Sequence, residues 1–343
     1  MYQYDPSEWL LFFYFYCFCG WVWECFYVSV KQRKWVNRGF LHGPFLPIYG
    51  SGAICVLLMT IPVKENLFAV FFMGMLGATV LEYCTGFVME RLFGVRYWDY
   101  SNVPFNVHGY ICFAASIGWG IFSVIMIQIA HLPVERMVYR IPETMRETLA
   151  IFITAVFVAD FTKSFQEAMD LKELIVRLTE GNEEIQRLQK RMDVIIAVLN
   201  EEKDEFWERA EEGIRRYSEY VKEYREKTEE RRLEKRMIQE EGIGRYRQLK
   251  TEFIESASHF ANNLADQIML KNREEGMNKK GERLGEELKE TKSSIQRLHS
   301  IFDWNRKKEL VSSRRILRRN PGVFSKEYAE ALKEVQEMDK TNQ

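Results

Sequence analysis

The chain has 343 residues, and its 48 basic and 49 acidic side chains leave a net charge of −1 at neutral pH. The mean hydropathy of −0.28 averages two unlike regions, because residues 1–148 carry only ten basic and ten acidic side chains while all the other charges follow. That asymmetry excludes one uniform soluble domain and predicts an apolar first part joined to a highly charged second part. The six cysteines, Cys17, Cys19, Cys25, Cys55, Cys84 and Cys112, all lie in the apolar part with no C-x-x-C pair and no His-rich spacing. They read as small apolar residues, so no metal, cofactor or oxidised framework is expected.

Asp5-Pro6-Ser7-Glu8 reads as a helix start, with Pro6 suited to the first turn and Glu8 placed to complete a capping box. The apolar run Trp9 to Val30 follows. It is long enough to span a hydrocarbon core, which takes roughly 20 residues, and too long for a signal peptide. Lys31, Arg33, Lys34 and Arg38 come after it, so the positive-inside rule puts the N-terminus outside and this loop in the cytoplasm. Further spans are predicted over residues 43–61, 67–89, 109–130 and 149–165, giving about five crossings and a cytoplasmic C-terminal region. The fifth is the weakest, because its apolar core from Leu149 to Phe161 is short and leaves Arg146 and Lys163 to reach the two interfaces. The fold class is therefore all-α: a polytopic membrane bundle over residues 1–165, then a charged, partly coiled-coil helical domain over 166–343.

Carboxylates inside such helices are costly and usually face protein or a water-filled cavity. Glu82 shares an i+4 stripe with Gly74, Ala78, Gly86 and Glu90, and Gly20 with Glu24 repeats the arrangement. Small residues on that stripe let helices approach closely. In the assigned topology Glu24, Glu82 and Asp160 fall toward the cytoplasmic ends of their spans, flanked by Arg38, His42, Glu90, Asp99, Asn106 and His108. This predicts a polar site near the inner leaflet with Glu24, Glu82, Arg38, Glu90, Asp99, Asn106 and His108 as candidates. The plainer alternative makes each acid an interhelical hydrogen-bonding group and Arg38 with Asp99 a salt bridge between two loops. No catalytic residue and no metal ligand set emerges. Phe40-Leu41-His42-Gly43 and Phe105-Asn106-Val107-His108-Gly109 hint at a parallel repeat.

Beyond Phe165, Leu171, Leu178, Ile185, Met192 and Leu199 fall seven apart, with Leu174, Leu188 and Ile195 as partners. This is an a/d seam with Gly181 as its one gap, suited to a homo-oligomer through Leu171 to Leu199 or to packing on the chain itself. Asn200 to Lys292 reads as long charged helices. Arg306, Lys307, Lys308, Arg314, Arg315, Arg318 and Arg319 precede Asn320-Pro321-Gly322, a helix stop. Arg314, Arg315, Arg318 and Arg319 are candidates for anionic lipid headgroups; with no aromatic residues interleaved, nucleic acid is not expected.

Asn37-Arg38-Gly39-Phe40-Leu41-His42-Gly43-Pro44-Phe45-Leu46-Pro47-Ile48-Tyr49-Gly50, then Glu82-Tyr83-Cys84-Thr85-Gly86, Trp98-Asp99-Tyr100-Ser101, Asn106 and Gly109 resemble, in the same order, the signature segments of the bacterial "Putative ABC-transporter type IV" (CmpB-like) membrane protein family. The resemblance covers residues 9–130. It implies a multi-pass protein of the bacterial inner membrane and a permease-like transporter component, with Gly39, Gly43, Pro44, Pro47, Tyr49, Gly50, Gly86, Trp98 and Gly109 as motif positions. The chain has no G-x-x-x-x-G-K-[ST] loop, since Gly276-Met277-Asn278-Lys279-Lys280-Gly281 is followed by Glu282. The expected partners are thus the lipid bilayer and a separate ATPase subunit, and the chain itself is not expected to be an enzyme. The alternatives are a scaffold acting through its coiled-coil tail, and an inner-leaflet enzyme acting on a lipid headgroup through Glu24, Glu82 or Asp99.

Overall fold

The structure, a computed structural model, describes residues 4–200, 219, 222–223, 226, 241–275, 279–302 and 307–340. Most of the charged stretch 201–240, Arg306 and the Gly276-Met277-Asn278 run lie outside the described residues.

Helix α1 runs over Pro6–Gln32, and the Asp5 amide donates to the Glu8 carboxylate at 3.0 Å as the capping signature requires. Residues 33–46 are not helical. Helix α2 then covers Pro47–Thr60 and closes in a 3-10 turn, Ile61–Val63. Helix α3, Leu67–Phe93, starts where the Asn66 side chain accepts the amides of Phe68 and Ala69 at 3.1 and 3.2 Å, and it stops at Gly94, whose φ of 70° suits a residue without Cβ. A two-stranded hairpin of β1, Asn106–Val107, and β2, Ile111–Cys112, leads into α4, Phe113–Ile125. A π turn over Met126–Ala130 passes directly into α5, His131–Tyr139. Helix α6 is a single run over Glu143–Asn200.

Among the described residues four stretches are long and apolar enough to cross a membrane: Pro6–Gln32, Leu67–Phe93, Phe113–Tyr139 and Glu143–Ala197. The expected span over 43–61 corresponds to the shorter apolar helix Pro47–Val63. Its first residues are withheld from the helix because their amides are engaged elsewhere: Leu46 donates to the Cys17 carbonyl at 3.0 Å, and His42 and Gly43 donate to Asp160. The span expected to end at Ala130 runs on to Tyr139. Arg146 donates to Glu8 at the start of α1 at 2.6 Å.

Contacts divide the chain into two units, Met1–Leu174 with Lys308–Ala329, and Ile175–Lys307 with Glu330–Gln343. In the first unit α2 lies against α1 and α3, and α3 against α4. Small residues sit at these crossings: the Tyr49 ring lies over Gly20, Cys17 Sγ against Gly50, the Ser123 side chain against Gly74, and the Phe71 ring over Gly120. The core between them holds Phe12, Tyr16, Val56, Leu57, Ala78, Met126 and Val134.

In the second unit α7, Glu241–Glu275, and α8, Lys279–Ile301, cover the heptad face of α6. Ile185, Leu188, Met192 and Ile195 join Leu249, Phe253, Phe260, Leu264, Leu288, Ile295 and Leu298 in one buried cluster. The seam is thus satisfied along these positions by the chain's own helices. Helix α9, Lys307–Arg319, returns to the first unit, while α10, Ala329–Lys340, brings Glu334 onto Lys250 at 3.0 Å. That buried cation also meets Asn182 at 2.7 Å and the Phe302 ring at 5.2 Å.

The gap at Gly181 is filled by Phe302 and Ile301, with Phe302 Cζ 2.7 Å from where a Cβ would stand. Gly181→Leu would complete the heptad, yet here it overpacks a filled site, so it should destabilise the chain by about 1–3 kcal/mol. Thermal or denaturant unfolding of the full chain in detergent reads this, and a more stable variant would mean that the seam is used differently.

Candidate functional site

The motif segments of the sequence converge in space. Gly86 leaves room for Tyr110 and Trp98, whose nearest atoms lie 3.0 and 3.3 Å from a Cβ there, and the Trp98 indole donates to the Tyr110 carbonyl at 2.9 Å. Asn106 donates to the carbonyls of Val103 and Ser101 at 2.8 and 3.3 Å and accepts the Gly109 amide at 3.1 Å. His108 and Gly109, with φ of 54° and 78°, form the hairpin turn that the Tyr110 amide closes on the Val107 carbonyl at 3.1 Å, the positive-φ pair a type I′ turn needs. The His108 ring meets the Tyr83 hydroxyl at 3.2 Å on an exposed edge.

Arg96 organises the loop beneath. It pairs with Glu90 at 2.7 Å and Asp99 at 3.3 Å, donates to the His108 carbonyl at 2.9 Å and stacks over the Tyr110 ring at 4.5 Å, while the Tyr110 hydroxyl donates to Glu90. Burial works against the Asp99 charge, but the Ser101 hydroxyl and amide, then Arg96, hold its carboxyl below the usual carboxylate range. Burial likewise opposes the Arg96 charge, and Glu90 more than restores it. Glu90, Asp99 and Asn106 are thus all engaged in bonds with this loop.

The two remaining acids face a different assembly. Glu82 is 7% exposed and accepts from Trp119 Nε1 at 2.9 Å and the Tyr100 hydroxyl at 3.2 Å. Glu24, whose side chain is 26% exposed, accepts from the Tyr49 hydroxyl at 2.8 Å and lies 3.8 Å from Arg38 Nε. Tyr49 reaches Glu24 by crossing Gly20, which explains the glycine one turn before the acid. The Tyr100 phenol is pushed up first by burial, then by Glu82 and, more weakly, by Glu24, so both acids act on one hydroxyl. Glu24 and Arg38 leave charges of both signs partly open, whereas Glu82 is enclosed.

Arg38 does not pair with Asp99. Its guanidinium turns to the Asn320 side chain at 3.1 Å and the Tyr97 carbonyl at 3.2 Å, because Glu24 and Asn320 lie where its buried charge can be met; burial still holds it below the usual arginine range despite Glu24. Asn320 also donates to the Gly39 carbonyl at 3.0 Å. Just before it, Arg319 donates to Glu167 at 2.8 Å and to the Phe40 carbonyl at 3.2 Å, and Arg315 to Glu167 at 2.9 Å. Just after it, the Phe324 and Arg96 amides exchange bonds at 3.0 and 2.6 Å, and the Ser325 hydroxyl donates to the Gly94 carbonyl at 2.7 Å. Of the four arginines read as lipid contacts, Arg319 is thus buried and turned inward; Arg314 is half-buried, and Arg315 and Arg318 are exposed.

His42 completes this side, with Nδ1 3.0 Å from Asp160 and from Ser164 Oγ and Nε2 3.2 Å from Glu167. Sequence reasoning missed Tyr97, Trp119, Glu167 and Asn320 as members of the assembly. Asn320 carried a signal only as part of a helix stop. Among the described residues no group of three or more His, Cys, Asp and Glu could hold a metal.

Residues 11–165 match the family model described as "Putative ABC-transporter type IV". Over these residues the chain is similar to that family. The match reaches beyond the motif segments to the apolar start of α6, and together with the four membrane-length helices among the described residues it supports a membrane protein. No curated protein and no solved structure is matched at significance.

Asn320→Ala leaves the Gly39 carbonyl without its donor and Arg38 Nη1 without its acceptor, a loss of about 1–3 kcal/mol for each buried group left unpaired. Amide exchange at Arg96 and Phe324 should accelerate in this variant; unchanged protection would show that the segment 320–325 is held independently. Asp99 adds stability above its unfolded value near 4 and loses it as pH falls through its lower folded value. Asp99→Asn should therefore flatten the acid limb of a stability profile below about pH 4 and leave its shape above that unchanged.

Proposed function

We propose that the chain is the permease-like membrane component of a transporter, with its ATPase on a separate chain and its solute site in the assembly of Glu24, Arg38, Tyr49, Tyr100 and Glu82. The observation that carries this reading is the pairing of two acids from different helices on neighbouring tyrosine hydroxyls, with an arginine beside the more open one. Opposite charges at partial exposure suit a small polar or zwitterionic solute, since a buried charge is tolerated where a partner or ligand meets it. The family description supports the transporter class.

In this reading α2 counts as a fifth, shortened crossing, the N-terminus is outside, and residues 166–343 work on the cytoplasmic side of a bacterial inner membrane. The irregular stretch 33–46 fits it, because non-helical backbone at membrane depth is tolerated where protein encloses it or it lines a cavity. The segment from Arg315 to Ser325 then lies over the inner mouth of the site and must shift for a solute to pass. The scaffold alternative finds less support, because the heptad face at Ile185 to Ile195 is covered by α7 and α8.

Mild extraction from the native membrane followed by mass spectrometry should recover a stoichiometric nucleotide-hydrolysing subunit. Glu82→Gln, which keeps the acceptor for Trp119 but removes the charge, should leave the amount of folded complex unchanged while abolishing solute-stimulated ATP hydrolysis. Recovery of the chain alone or as a self-oligomer would overturn the separate-ATPase reading.

A further inference from the structure

His131 stands apart from this assembly, and nothing in the transporter reading uses it. It is 5% exposed, yet both ring nitrogens face tyrosine hydroxyls, Tyr16 at 2.9 Å from Nδ1 and Tyr4 at 3.3 Å from Nε2. Tyr4 also donates to Glu135 Oε1 at 2.6 Å, and Glu135 is half-buried. A continuous chain of hydrogen-bonding groups thus leads from a carboxylate that solvent can reach to a phenol inside the bundle. Phe12 closes the ring's edge at 4.9 Å, keeping the middle of the chain dry.

The backbone here departs from an α-helix. The His131 amide donates to the Met126 carbonyl, five residues back. Pro133 accounts for this: it has no N–H for the Ile129 carbonyl and its ring presses on that group, and a wider turn relieves the conflict. π turns inside α-helices recur at functional sites, and an ionisable side chain within a membrane helix marks such a site by default.

Counting protons gives the chain a direction. Because the Tyr4 hydroxyl proton points at Glu135, the Tyr4 oxygen accepts from Nε2–H, and in the doubly protonated ring Nδ1–H donates to the Tyr16 oxygen. We propose that His131 is a proton-binding site filled from Glu135 through the Tyr4 hydroxyl. In the filling step the ring starts protonated at Nδ1. A proton on the Glu135 carboxyl passes to the Tyr4 oxygen as the Tyr4 hydroxyl proton passes to Nε2. The carboxyl O–H and the old Tyr4 O–H break, a new Tyr4 O–H and an Nε2–H form, and the imidazolium is balanced by the Glu135 carboxylate. The bonds at 2.6 and 3.3 Å are those of the filled state.

The other titratable groups around this chain are Asp5, Glu8, Tyr16 and Cys19 at and in α1, Tyr139 on α5, and Arg146 on α6. Arg146 and Glu8 neutralise each other at 2.6 Å, which leaves Glu135 as the counter-charge in direct line with the ring.

The site needs neither a solute nor an ATPase, so its test stands clear of the transporter reading. The full chain, labelled with ¹⁵N-histidine and reconstituted in lipid, is titrated by solid-state NMR, and the His131 signals are assigned by their loss in His131→Gln or, should that variant not fold, by their perturbation in Tyr16→Phe. Acidification between about pH 8 and 5 should convert the ring from singly to doubly protonated. Glu135→Gln should lower its proton affinity by about tenfold or more, one unit in the midpoint, while Glu143→Gln leaves it unchanged. A ring that stays neutral throughout, or a midpoint that Glu135→Gln does not move, overturns the proposal and leaves His131 as a packed core histidine.

Discussion

Asp160 accepts the amides of His42 and Gly43 at 3.1 and 2.7 Å, and the polar assembly around Glu24 and Arg38 depends on the bend those two bonds hold. Backbone groups removed from water must find partners within the protein. In the stretch before Pro47 they find a carboxylate from α6 and a carbonyl from α1 instead of a helix. With the bend fixed, α2 begins where Tyr49 falls over Gly20 and its hydroxyl reaches Glu24. The same bend turns the Gly39 and Phe40 carbonyls toward Asn320 and Arg319 and sets the His42 ring between Asp160 and Glu167.

Charge matching then decides what covers this surface. Glu167 is 4% exposed, and a carboxylate so enclosed costs several kcal/mol unless a partner meets it. Arg315 and Arg319 both do so. Such pairs add little net stability compared with apolar packing, but removing one partner is expensive. Their effect is therefore positional: among the segments available, one with two arginines a helical turn apart, followed by an asparagine that can donate and accept, is selected for this place. Backbone pairing of Phe324 with Arg96 extends the contact without using side chains.

These features were unequally legible in the sequence. The apolar helices announce themselves by length, and small residues spaced at i+4 with the acids do mark close crossings, as Gly20 and Gly74 show. Glu90, Asp99 and Asn106 were legible as a group near one loop, but not as its internal bracing, because Arg96 was the organising partner and its neighbours in sequence gave no sign of that. The pairing of Arg38 with Asn320 spans a separation that no local pattern encodes. The heptad at Ile185 to Ile195 could not say whether its partner was another chain or its own, since a seam records only that something apolar covers it. Gly181 held the clue, for a gap in the seam is filled by a bulky side chain from elsewhere, here Phe302. His131 was masked by being placed beyond the end of a span; Pro133 inside a continuing apolar pattern was the signal that the helix went on in altered form.

Helix α1 ties the two ends together. Tyr16, Gly20 and Glu24 are spaced by four and so share one face of the helix. Tyr16 holds His131 toward one end, Glu24 holds Tyr49 toward the other, and Gly20 between them is where the Tyr49 ring crosses. Hydrogen bonds weaken steeply outside a narrow range of distance and angle, so a slide or rotation of α1 large enough to open one of these contacts strains the other. A helix without side-chain bulk at Gly20 is free to make that movement only as far as the Tyr49 ring allows, which sets the amplitude of any change at Glu24 by the same contact that positions it.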